Sequence, residues 1–252
     1  MSYSADRLVI LDADGTLVDA FHAMEMAFAL HEMDIGDLER FQKRRKLFKY
    51  LGGLREFPKN LRKQFGKQSR KRLLDSLTEI YRHEAKLYPG FAALLNVLIA
   101  ASHIRVGIVS RNITHEPEET FRLLLARHDV DAAGLDFMRC LPLREEKRET
   151  FQAIRRELAI NPACCFVCGD EYRDFAAATG AGMHPFIASY GFEDYERLSA
   201  GFDVPVEVIS RTPAELIGRL CHALNIALPE VSPAAPSPAT VADNAPLASI
   251  VP

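Results

Sequence analysis

Residues Leu8 to Leu17 read Leu-Val-Ile-Leu-Asp-Ala-Asp-Gly-Thr-Leu, and this stretch constrains the chain more than any other. Four successive apolar residues with no alternation describe a strand buried on both faces, which arises where helices cover both sides of a parallel sheet. The apolar run stops at Asp12, and Asp14 and Gly15 follow. Two carboxylates one residue apart thus stand at the C-terminal end of a buried strand, where open α/β sheets bind ligands. Anions held so close need a cation. Hard carboxylate oxygens with no Cys or His nearby in sequence favour Mg²⁺ over zinc or copper.

The pattern recurs. The apolar run from Cys164 ends in Gly169-Asp170-Glu171-Tyr172-Arg173-Asp174, so Asp170, Glu171 and Asp174 crowd a second strand end. Strand-like runs at Leu8 to Asp12, Ile104 to Ser110, Phe137 to Leu141, Cys164 to Cys168, Pro185 to Ala188 and Val206 to Ile209 alternate with helical patterns. The helices are predicted at Phe91 to Ala101, Pro117 to His128, Arg148 to Leu158 and Pro213 to Leu224, with Pro117 and Pro213 suited to first turns. Such alternation predicts an α/β fold with a parallel sheet flanked by helices. Five acids at the ends of two parallel strands then amount to a concentration of negative charge that a divalent ion would relieve.

These motifs resemble those of the haloacid dehalogenase superfamily, in its subgroup with a helical cap inserted after the first motif, over about residues 6 to 225. The first motif is Asp12-Ala13-Asp14-Gly15-Thr16, the second is Ser110 at the end of Val106-Gly107-Ile108-Val109, and the fourth is Gly169 to Asp174. The third, a lone Lys, is matched by Lys147, at the interval before the fourth that phosphoglycolate-phosphatase-like members suggest. The resemblance implies a Rossmann-like core and a Mg²⁺-dependent phosphatase. It makes Asp12 the nucleophile and Asp14 the acid and then base, and assigns Mg²⁺ to the Asp12 side chain, the Asp14 main-chain carbonyl and the Asp170 side chain. Glu171 and Asp174 would hold the ion's waters or orient its ligands, and Ser110 and Lys147 would bind the phosphoryl oxygens.

Elementary chemistry agrees with that division of labour. A phosphate ester repels an attacking carboxylate, so charge must first be cancelled and the nucleophile aligned. Carboxylate attack yields an aspartyl-phosphate that water later cleaves. Two positions depart from the family pattern: Arg111 follows Ser110 where many relatives carry a small or amide residue, and Glu171 stands where Gly-Asp-Ser is common. An extra cation at Arg111 would either tighten phosphate binding or point outward, and the extra acid would alter how tightly the metal is held.

Between about Ala20 and Leu87 the pattern turns to helices without strands, with Leu38, Phe41, Phe48 and Leu51 near one face and Leu73, Leu77, Ile80 and Tyr81 near another. This is the predicted cap, residues 20–87, inserted into a core made of residues 1–19 and 88–228. From Arg40 to Arg72 there are 14 Lys or Arg against one acid, in a chain whose net charge is −3. Solvated helix faces account for such a run most simply, a polyanionic or phosphorylated ligand comes next, and nucleic acid is disfavoured because no aromatic-interleaved motif accompanies the charge. Residues 229–252 hold six Pro and no aromatic residue, which predicts a disordered tail.

The remaining features bound the setting. At 252 residues and 48% hydrophobic content the chain can bury one substantial core and an accessory domain. No apolar run approaches the roughly 18 residues of a membrane span and no signal pattern precedes the first strand, so a cytoplasmic protein is expected. The five Cys do not form a disulfide framework, and Cys165 and Cys168 read as small core residues. A small phosphorylated metabolite is the expected substrate, and the oligomeric state is open. The alternatives are a phosphomutase or a phosphonatase on the same scaffold, or a non-catalytic regulator that binds an acidic partner through the basic insertion. Asp14 and the acidic fourth motif disfavour a metal-free dehalogenase.

Overall fold

The computed structural model describes residues 3–31 and 67–229. Its centre is a six-stranded, all-parallel sheet in the order β3-β2-β1-β4-β5-β6. The strands are β1 (Arg7–Leu11), β2 (Ile104–Ser110), β3 (Phe137–Cys140), β4 (Cys165–Gly169), β5 (His184–Ala188) and β6 (Ile209–Ser210). The helices are α1 (Ala20–Ala29), α2 (Lys67–His83), α3 (Phe91–Ala100), α4 (Pro117–Ala126), α5 (Lys147–Glu157), α6 (Tyr172–Gly180) and α7 (Pro213–Leu224). β1 pairs with β2 on one side, Val9 opposite Val106, and with β4 on the other, Val9 opposite Phe166. The strand order reverses between β1 and β4. The crevice beyond their C-terminal ends is therefore the topological switch point of the sheet.

β1 shows why the unbroken apolar run is required. Successive side chains of a strand point to opposite faces. Val9 and Leu11 join the core shared with α1, α2, α3, α4 and α7, whereas Leu8 and Ile10 join the one beneath α5 and α6. All four are fully buried. A polar residue anywhere in the run would be stranded between sheet and helix. Asp12, the first residue beyond the strand, is the first free of that constraint.

Where the chain leaves this core and where it returns lie side by side. Tyr88 donates its N–H to the Leu17 carbonyl at 2.8 Å, Asp19 donates to Lys86 at 2.9 Å, and Val18 faces Leu87 in an antiparallel bridge. The excursion between them begins with α1, capped by the Asp19 side chain, and ends with α2. Leu73, Leu77, Ile80 and Tyr81 form the buried face of α2, against the same core as Phe21 and Phe28 of α1. Leu38, Phe41, Phe48, Leu51 and most of the basic stretch lie outside the described residues, as does the tail from residue 230.

Pro117 and Pro213 occupy first turns as expected. The last strand is shorter than predicted. Pro205 opens a 3-10 turn over Val206–Val208, and only Ile209 and Ser210 pair with β5, so apolar character at Val206 does not make it strand. Beyond β5 the chain enters a wide helical turn, Arg197–Gly201, that buries Leu198. All five Cys are free, with Cys165 and Cys168 buried in β4. Among the described residues no helix is long and apolar enough to cross a membrane.

Because Ile10 is fully buried between the sheet and two helices, Ile10→Ala is expected to cost about 2–5 kcal/mol in urea unfolding. The same truncation at Tyr3, which is 54% exposed, is expected to change stability by less than about 0.5 kcal/mol.

Candidate active site

Three strand ends and two helix starts converge at the switch point. β1 delivers Asp12, β2 delivers Ser110, and β4 runs through Gly169 into Asp170. Lys147 is the first residue of α5, and Asp174 lies in the first turn of α6. Asp12, Asp170 and Asp174 each offer a carboxylate oxygen, and these oxygens all lie within 4.8 Å of one another. The Lys147 ammonium bridges two of them, 2.6 Å from Asp12 Oδ2 and 2.8 Å from Asp174 Oδ1. Although Lys147 opens a helix beside Arg148, it is only 2% exposed and turns into the site rather than toward solvent.

Each carboxylate is held differently. Asp12 accepts from the Ala13 N–H at 2.7 Å as well as from Lys147. Burial raises its pKa and Asp174 adds to that, while Lys147 and the Ser110 hydroxyl oppose. That hydroxyl is fully buried, close enough to Asp12 to favour its ionised form but without a well-formed hydrogen bond. Asp174 is buried as well, yet Lys147, Arg111 and the Glu171 N–H hold its carboxyl below the ordinary range. Asp170 is the unstable member. Burial and the charges of Asp12, Asp174 and Glu171 push it well above the ordinary range, against one backbone donor, Phe192 N–H. Its other oxygen accepts weakly from Thr16 Oγ1 at 3.4 Å.

Two glycines make room for this carboxylate. At Gly15 (φ +80°) a Cβ would fall 2.2 Å from Asp170 Oδ2, and at Gly191 a Cβ would meet the same oxygen at 2.2 Å and the Gly15 carbonyl at 2.4 Å. Only a backbone without side chains approaches so closely. Gly191 precedes Phe192, the residue that donates to Asp170, so one loop both clears the space and holds the acid.

Glu171 and Arg111 are the two departures from the family pattern, and the fold brings them together. Arg111 Nη2 donates to Glu171 Oε2 at 2.6 Å, with the guanidinium nearly buried. Arg111 does not point outward. Burial would lower its pKa, but Asp174, Glu171 and Asp12 outweigh burial and raise it. Glu171 also caps α6, its side chain accepting from the Asp174 N–H while Asp174 accepts from the Glu171 N–H.

Asp14 stands apart from this cluster. Its Oδ1 accepts from the Tyr81 hydroxyl and its Oδ2 from the Asn112 amide, each at 2.7 Å. Burial and the Asp12 charge raise it to about 7 even though both hydrogen bonds favour the anion. Sequence reasoning placed Tyr81 on an apolar helix face and assigned Asn112 nothing. The available signal was chemical: a buried tyrosine needs a partner for its hydroxyl.

The donor set fits a hard divalent cation. Asp12, Asp170, Asp174 and Glu171 face Lys147 and Arg111, so ionising all four acids would leave two negative charges uncompensated. An all-oxygen set with one acid pushed far upward by its neighbours is the environment that such an ion stabilises.

Comparison with known proteins agrees with this architecture. A family model described as haloacid dehalogenase-like hydrolase matches residues 7–182, a span that contains every acid of the cluster together with Ser110 and Lys147. The phosphoglycolate phosphatase of Synechococcus elongatus is 26% identical over 221 residues, covering 84% of this chain and 95% of that protein. Among solved structures, a hydrolase from Pseudomonas syringae superposes with a TM-score of 0.57 at 18% identity, covering 86% of this chain and 99% of that one. A haloacid dehalogenase-like family protein from Streptococcus pneumoniae gives a TM-score of 0.56 at 17% identity, with 86% and 99% covered. Because that family model spans residues 7–182, well over half of the chain and all the strand ends and helix starts that carry the site, this chain belongs to the haloacid dehalogenase-like hydrolases.

Proposed function

We propose that this hydrolase is a Mg²⁺-dependent phosphatase that removes the phosphoryl group of a small phosphorylated metabolite through an aspartyl-phosphate on Asp12. The observation that carries the reading is the convergence of Asp12, Asp170 and Asp174 within 4.8 Å with Lys147 wedged between two of them. Likeness to the Synechococcus phosphoglycolate phosphatase supports a small anionic substrate of that kind. Reduced, largely buried cysteines suit the cytoplasm.

The residues divide the work by position. Asp12 is the nucleophile, since it caps the rigid central strand and its carboxylate is aimed by the Ala13 N–H and Lys147. Lys147 and Ser110 bind the non-bridging phosphoryl oxygens, one as a point charge, the other through a hydroxyl. Asp12, Asp170 and the Asp14 main-chain carbonyl would hold Mg²⁺, and Asp174 and Glu171 would order its surroundings. Bound there, the ion supplies charge neutralisation that lets an anionic nucleophile approach an anionic ester. Asp14, apart from the cluster and near neutrality in affinity for a proton, protonates the leaving oxygen and then takes a proton from the water that cleaves the acyl phosphate. The insertion between Ala20 and Leu87 acts as the cap that screens the site and selects the substrate.

The hydrolase reading is checked with 4-nitrophenyl phosphate and a panel of metabolite esters. Wild type is expected to turn over with Mg²⁺ and to lose activity in EDTA, with recovery on Mg²⁺ addition. Asp12→Asn is expected to lose at least about 10³-fold in kcat and to trap no acid-stable phosphoryl label. A wild type inactive across the panel, yet bound tightly to an acidic macromolecule, would overturn the reading in favour of the regulatory alternative.

A second expectation follows from the glycine cradle. Gly191→Ala is expected to raise the Mg²⁺ concentration for half-maximal activity by about 10-fold or more, because a Cβ there displaces the Asp170 carboxylate. Titration of the activity with Mg²⁺ measures it.

A further inference from the structure

The two hydrogen bonds on Asp14 are not equivalent. Asn112 has no freedom to turn its amide over. Its Oδ1 accepts from the Thr114 N–H at 2.7 Å and from the Thr114 hydroxyl, and a flipped amide would set an NH₂ against the Thr114 N–H. Asn112 therefore always presents a donor to Asp14 Oδ2, and an oxygen facing a fixed donor is a poor place for a proton. Tyr81, facing Oδ1, is different, because a phenol both donates and accepts and adjusts to either state of the carboxyl.

The surroundings hold this arrangement firmly. Tyr81 is 1% exposed and its ring packs edge-on against Phe121. Arg127 reaches the carbonyls of Tyr81, His83 and Ala85, at 3.3, 2.9 and 2.6 Å, and so ties down the C-terminal end of α2. One turn earlier in the helix, Thr78 Oγ1 accepts from the His115 N–H at 3.0 Å, which fastens α2 to the loop after β2 that carries Asn112 and Thr114. The two segments that grip Asp14 are thus bonded to each other as well as to the acid.

We infer that Tyr81 and Asn112 are positioning residues that hold the Asp14 carboxyl by both oxygens, Asn112 reserving Oδ2 as an acceptor so that the transferable proton resides on Oδ1, beside Tyr81. The inference rests on the acid and base role proposed above for Asp14. In the first half-reaction the Oδ1–H bond breaks, its electron pair stays on the carboxylate, and the proton goes to the departing ester oxygen. In the second, one proton of the attacking water returns to Oδ1 as the water oxygen bonds to phosphorus and the P–O bond to Asp12 breaks, its electron pair staying on the Asp12 carboxylate and the phosphate leaving. The consequence is specific: loss of either residue should harm protonation of the leaving group and leave attack by Asp12 intact.

Leaving groups of different basicity separate these effects. Wild type, Tyr81→Phe and Asn112→Ala are compared on a simple alkyl phosphate, whose alkoxide needs a proton, and on 2,4-dinitrophenyl phosphate, whose phenolate does not. kcat/KM is the readout because it reports transfer to Asp12. Each variant is expected to lose about 10-fold or more on the alkyl ester, with KM within about threefold, and less than about threefold on the dinitrophenyl ester. Thermal unfolding of each variant runs alongside. Equal losses on both esters, or no loss on either, would overturn the inference even if wild type is a phosphatase. A wild type that hydrolyses neither ester would remove the hydrolase reading itself, and this inference with it.

Discussion

Excess negative charge at the ends of two adjacent strands is the constraint on which the rest of this structure depends. Three carboxylates with oxygens within 4.8 Å of one another, in a space nearly closed to water, are unstable unless cations intervene. Lys147 supplies one between Asp12 and Asp174, and Arg111 supplies another against Glu171. Neither sits beside Asp170, and the remaining strain is concentrated there. The fold thus concentrates at one oxygen-lined point an electrostatic demand that a divalent ion would relieve.

Everything else in the site serves to hold that charge in place. β4 and β1 from Leu8 onward are buried and leave the sheet in adjacent positions, so Asp12 and Asp170 emerge as neighbours from rigid strands. The capping box between Glu171 and Asp174 fixes the first turn of α6, and with it the direction of the third acid. Gly15 and Gly191 let two backbones close around Asp170. A site built from strand ends and helix starts in this way holds its geometry better than one carried on loops alone.

Asp14 illustrates how neighbouring acids are given separate tasks. It lies two residues from Asp12, but its carboxyl is turned away from the cluster into hydrogen bonds from Tyr81 and Asn112. Burial and the nearby Asp12 charge raise its pKa to about 7, whereas Asp174, paired with Lys147, is held below the ordinary range. The helix that brings Tyr81 belongs to the excursion between β1 and α3, so the grip on Asp14 is linked physically to the inserted segment.

Much of this was legible in the sequence because it is local. Unbroken apolar runs identify buried strands, an abrupt change to Asp-x-Asp or Gly-Asp-Glu marks their ends, and first-turn prolines locate helix starts, all within a few residues of one another. Strand β6 shows the limit: apolar character at Val206 suggested strand, but pairing with β5 decides what is strand, and the turn after Pro205 prevents it. The site divides in the same manner. The identity of the acids could be read directly, whereas the pairing of Arg111 with Glu171, the grip of Tyr81 and Asn112 on Asp14, and the clearance at Gly191 join residues as many as 176 positions apart (Gly15 to Gly191). The sequence by itself determined which chemistry was available and at which strand ends. Only the tertiary structure decided which charges meet, because hydrogen bonds and ion pairs act over a few ångströms in space and leave no periodic trace along the chain.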